Sequence, residues 1–164
     1  MTATLTPPRV VTALDEISRC LCAELTAVAP LCWCGIWHGD TVSWDYCGSE
    51  CAGNACGMAW VRITSLFPYD TFGTPTLDLH CRLPIAYGIE VGCVRCMPTM
   101  GPNGELPPPD EVEESSLRMI ADAEAMYRAL RCCAAATLAI ELYSPAGPLG
   151  GCAGGTWTGY LTMD

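Results

Sequence analysis

Residues Ile85 to Cys133 constrain this chain more than any other stretch, because they read as a strand, a proline-rich turn and a long helix. In the run IAYGIEVGCVRC, Ile85, Tyr87, Ile89 and Val91 alternate with Ala86, Gly88 and Gly92. Such a period of two predicts a strand with one face in a core and the other crowded closely by a neighbour. Pro98 and then Pro107-Pro108-Pro109 end the strand and stiffen the crossing. Asp110 is the expected N-cap, with Glu113 in the capping-box position.

The helix expected over about 110–133 carries a stripe of Val112, Ser116, Met119, Ile120, Ala123, Met126, Tyr127 and Leu130, whose spacings of three and four residues define one face. Its acids lie in the first turn and Arg128 and Arg131 in the last, as the helix dipole prefers.

Upstream, Thr6-Pro7-Pro8 opens a first helix, with an apolar face of Val10, Leu14, Ile17, Leu21, Leu25 and Val28 that Pro30 closes. From Leu31 the period becomes two, and His38-Gly39-Asp40 reads as a hairpin turn into a second strand, Thr41 to Tyr46. Gly57 to Leu66 predicts a third strand, and Thr76 to Leu83 leads into the strand at Ile85. After the second helix, Leu138 to Tyr143 and Thr156 to Met163 are expected strands, with Ser144 to Gly155 as a loop. The order predicts a single α+β domain over 1–164: a long N-terminal helix, a mostly antiparallel twisted sheet of about 4–6 strands, and a C-terminal strand. Both helices should pack on one sheet face.

A formal charge of −10 with no lysine excludes nucleic-acid wrapping by counterion release. No apolar run is long enough to span a bilayer, and Met1 to Pro8 lacks the pattern of a signal peptide, which places folding in a cytoplasm. Thirteen cysteines are many for such a compartment, where thiols begin reduced. The Gly-rich loop at 47–57 holds Cys47, Cys51 and Cys56, and Cys32 and Cys34 precede it. These three are candidate metal ligands, although their gaps differ from common zinc spacings. Disulfides among Cys32, Cys34, Cys47, Cys51 and Cys56, or free thiols, stand beside that reading.

Catalysis finds little footing. Cys93-x-x-Cys96 lies in a strand, away from the helix N-terminus that activates redox pairs. His38 and His80 lack a recognisable nucleophile and acid, and Gly147 to Gly155 lacks the residues of a phosphate loop. The expectation is no enzyme activity and no cofactor. Arg62, Glu90 and Arg95, charged within strands, are candidates for subunit-to-subunit ion pairs. Trp37 and Trp44 are candidate interface anchors.

Four stretches, CGMAWVRITSLFPYDTF, AYGIEVGCVRCMP, MYRALRCC and YSPAGPLGGCAGGTWTGYL, resemble a small virion protein of siphophages infecting actinobacteria, of the mycobacteriophage kind. The element order resembles that of tail terminators. That resemblance implies a hexameric ring that caps the tail tube and joins it to the head connector, assembled in the host bacterial cytoplasm and ending in the virion. Its partners would be other copies of itself, the major tail tube protein and a head–tail connector or stopper protein, with DNA only in transit through the lumen. A neighbouring head-to-tail adaptor or stopper is the alternative role, and a cysteine-rich metal-binding module is a third. The cysteine-rich loop departs from the terminator pattern.

Overall fold

A computed structural model describes residues 9–48, 51, 55–71, 74–75, 84–133 and 137–162. It is α+β, in the order α1 (Arg9–Val28), β1 (Trp33–Ile36), β2 (Met58–Thr71), β3 (Thr74–Pro75), β4 (Ile85–Cys96), α2 (Pro109–Cys133), β5 (Thr137–Leu149) and β6 (Cys152–Thr162). The main sheet runs β1-β2-β4-β6-β5, with β3 paired to the end of β2. Every pairing is antiparallel except β1 with β2.

Both helices cover one sheet face. Leu14, Ile17, Leu21 and Leu25 of α1 meet Met126, Ala129 and Leu130 of α2 over Val61, Ile89, Val91 and Leu161. Burying each such side chain contributes roughly 1.5–3 kcal/mol. A Cys20–Cys133 disulfide and an Arg128–Glu24 ion pair at 2.9 Å tie the two helices together at the surface.

The expected hairpin at His38 is corrected. Because β1 pairs parallel with β2, Trp33 against Met58 and Ile36 against Val61, the chain must cross over between them. Residues 41–46 form no strand; Val42 and Trp44 instead pack against Met58, Trp60 and Val94 on the sheet face away from the helices. The loop expected from Ser144 is also corrected. β5 continues to Leu149, and Gly150 and Gly151, at φ of 59° and 78°, make the two-residue turn into Cys152. Positive φ at both turn residues matches strand twist, and only glycine takes it freely. Pro145 and Pro148 are tolerated because β5 is an edge strand.

α2 begins at Pro109, so Asp110 lies in its first turn instead of capping it. Its buried residues are Asp122, Ala125, Met126, Ala129 and Leu130. The core stripe is therefore rotated from the expected one: Ile120 is 59% exposed and Val112 38%. Thr6, Pro7 and the stretch 76–83, with His80 and Cys81, lie outside the described residues.

Candidate functional site

Three arrangements concentrate the chemistry of the fold. The first is a buried ion pair between sheet and helix. Arg95 points from β4 toward α2, and its Nε donates to Asp122 Oδ2 at 2.6 Å while Nη2 donates to Oδ1 at 2.8 Å. The carbonyls of Leu25, Ala29 and Pro30, at the end of α1, accept its remaining hydrogens at 3.0–3.1 Å. Burial works against the charge, but the Asp122 carboxylate outweighs it, and the Arg95 pKa ends above its ordinary value. Arg95 is 4% exposed, so its partners lie in its own chain and not across a subunit boundary.

The second lies on the opposite sheet face. Arg62 and Glu90 are directly paired across β2 and β4, with Nε to Oε1 at 2.8 Å and Nη2 to Oε2 at 3.0 Å. Trp60 Nε1 donates to the same Oε1 at 2.8 Å, and Arg62 also donates to the Gly39 and Asp40 carbonyls. Hydrogen bonding to Glu90 raises the Arg62 pKa against partial burial. This pair anchors the 37–57 crossover to the sheet, so it too is satisfied within the chain. Trp37, half-buried, meets the ring of Trp33 edge-on at 5.5 Å and donates from Nε1 to the Thr41 carbonyl. Trp44, also half-buried, packs against the same cluster. His38 is exposed in the crossover.

The third is the cysteine framework. Five pairs stand at disulfide distance: Cys20–Cys133, Cys22–Cys34, Cys32–Cys51, Cys47–Cys152 and Cys56–Cys96, with Cα separations of 5.4–6.4 Å. All five cysteines named as disulfide candidates are bonded, Cys32 with Cys51 inside that set, and Cys34, Cys47 and Cys56 with Cys22, Cys152 and Cys96 outside it. Cys47 and Cys56 leave the loop to reach β6 and β4, and Cys51 reaches Cys32 just before β1. Cys51, bonded to Cys32, stands apart from Cys47 as a metal ligand. Cys93 is a free, buried thiol, and Cys96 pairs with Cys56, so the two do not form a redox pair.

One surface has no cover among the described residues. The first half of α2, up to residue 121, has no fully buried residue, and it displays Val112, Leu117 and Ile120 at 38%, 60% and 59% exposure. Ile120 leads into an apolar groove of about 450 Å³ lined by Ala123, Tyr127 and Trp157, with Glu124 and Arg128 at its rim. Trp157 is held there by its Nε1 bond to the Ala123 carbonyl at 2.9 Å. Sequence periodicity assigned Ile120 and Val112 to the core. It left Asp122 out of the core stripe, although an acid flanked by Met119, Ala125 and Met126 was a signal of a buried partner for Arg95.

No protein-family model matches the chain, and no curated protein matches it.

Proposed function

We propose that this chain is a structural assembly protein, a tail-terminator-like subunit that closes into a ring with copies of itself. One observation carries the reading. The buried residues of α2 all lie in its second half, from Asp122 on, while its first half offers Val112, Leu117 and Ile120 to solvent beside an apolar groove. Aliphatic side chains displayed together along a helix next to an apolar groove are the mark of an interaction surface. The heterologous contacts of a ring would bury such a helix against a different face of the next copy. The resemblance to tail terminators supplies six as the ring size and the tail tube and head connector as neighbours. A net charge of −10 suits a lumen through which DNA passes without sticking.

Native mass spectrometry and rotationally averaged electron micrographs of the concentrated protein test this. The expected particle is a closed ring of six, and Leu117→Asp with Ile120→Asp should leave folded monomers. A wild-type chain that stays monomeric at its solubility limit overturns the reading.

A further inference from the structure

We propose that Cys47, Cys56, Cys96 and Cys152, when reduced, form an all-thiolate site for one thiophilic divalent cation, with zinc the best fit. The fold brings the sulfurs of Cys47, Cys96 and Cys152 together and holds that of Cys56 against Cys96. Cys96, the last residue of β4, is directly paired with Cys152, the first of β6. Met58 of β2 is paired with Val94, so Cys56, two residues earlier, arrives opposite Cys96 on its other side. Two adjacent strands thus end in cysteines, a third cysteine just precedes the next strand, and the crossover lowers Cys47 onto them. The sulfurs of Cys47, Cys96 and Cys152 all lie within 4.8 Å of one another, and that of Cys56 is bonded to Cys96. Among the described residues, three ligand atoms of this kind converge nowhere else.

The spacing suits the chemistry. Zinc–sulfur bonds of about 2.3 Å in a tetrahedron place ligand sulfurs roughly 3.8 Å apart. Each bonded pair, at about 2.05 Å, would open by less than 2 Å to reach it. The backbone N–H of Cys96 donates to Cys56 Sγ at 3.0 Å, a contact that strengthens when the sulfur is a thiolate. Cys47 and Cys152 are buried at 5% and 2% exposure, while Cys96 is exposed. Cys96 also borders a cleft of about 290 Å³ that carries Glu111, Glu114 and Arg118, which gives a cation a path inward.

The two states interconvert by balanced steps. Two molecules of a small dithiol reduce Cys47–Cys152 and Cys56–Cys96 to four thiols and become two cyclic disulfides. The cation then displaces four protons and leaves a tetrathiolate complex of charge −2. Removing four electrons with a disulfide-class oxidant restores the two protein disulfides and releases the ion. None of the four ligands lies on α2, so failure of the ring reading leaves the site untouched.

The test uses the full chain, reduced with excess dithiol, exchanged anaerobically and titrated with zinc or cobalt(II). Elemental analysis should give one zinc per chain, and cobalt should show the absorption of tetrahedral all-thiolate coordination. Cys47→Ser with Cys152→Ser should abolish both, whereas Cys20→Ser with Cys133→Ser should keep them. Should the first double variant fail to fold, alkylation of the reduced wild type decides the matter. Bound zinc should protect Cys47, Cys56, Cys96 and Cys152 from the reagent and leave Cys20, Cys22 and Cys133 open to it. A reduced, folded chain without stoichiometric metal, variants that bind equally, or uniform alkylation would each overturn the proposal.

Discussion

Arg95 and Asp122 meet through two hydrogen bonds of 2.6 and 2.8 Å, with each side chain 5% exposed, and this contact locks β4 to the middle of α2. Because Arg95 also takes up three carbonyls at the end of α1, one side chain ties together sheet and both helices. Removing one partner strands a buried charge. Asp122→Ala should cost about 3–5 kcal/mol in urea unfolding. Arg95→Glu, which would set two buried carboxylates against each other, should accumulate unfolded and not as a folded monomer that merely fails to assemble. The double variant Arg95→Met/Asp122→Leu should lose much less than the sum of its singles. Near-additive losses would mean that the pair is not coupled.

Trp60 makes a second demand on the sheet. Its indole lies across Gly92 on the neighbouring strand, where a Cβ would stand 2.2 Å from the ring. Gly92→Ala should therefore destabilise by about 1–3 kcal/mol through overpacking. Adding Trp60→Leu should recover part of that loss in a double-mutant cycle. A Gly92→Ala variant as stable as wild type would show that Trp60 moves aside freely.

The two glycines of β4 show what local sequence reveals and where it stops. Alternation in β4 disclosed a crowded face, yet the crowding comes from Trp60 of the next strand, and at Gly88 from Thr64 and Ser65. Cross-strand register is a property of pairing and leaves no local trace in the sequence. Both helices and β4 were legible because periodicity and prolines act over a few residues. The parallel β1–β2 pairing was hidden, since a glycine turn at residue 39 favours a hairpin locally and only tertiary packing of Trp33, Trp37 and Trp44 overrides it. The cysteine pairings were hidden for a similar reason. Cys47 and Cys152 lie 105 residues apart in sequence and meet only where the crossover packs on the sheet face beside the start of β6.

The rotated face of α2 separates stability from assembly. Ile120→Ala, at an exposed position, should change stability within about 0.5 kcal/mol, whereas Met126→Ala and Leu130→Ala should each cost about 2–5 kcal/mol. If the exposed face binds another copy, Ile120→Ala should instead lower the oligomer population in sedimentation equilibrium. A large stability loss at Ile120 with no effect on association would return it to the core.

Cys93 supplies a test by pH. Burial pushes its thiol pKa well up from 9.0, and the nearby Asp122 carboxylate adds to the shift, while Arg95 works against it. The folded state thus keeps its proton where the unfolded chain releases it. Above the ordinary thiol pKa the unfolded state binds fewer protons than the native one, so stability must fall as pH rises. The contribution is fully present below pH 9 and diminishes by about 1.4 kcal/mol per unit above it. Cys93→Ala removes that slope while preserving a small apolar side chain. The difference between wild-type and variant unfolding free energies, measured from pH 8 to 10.5 with disulfides intact, should be flat at first and then decline for the wild type. Parallel curves throughout would show that Cys93 ionises as readily in the fold as in the open chain.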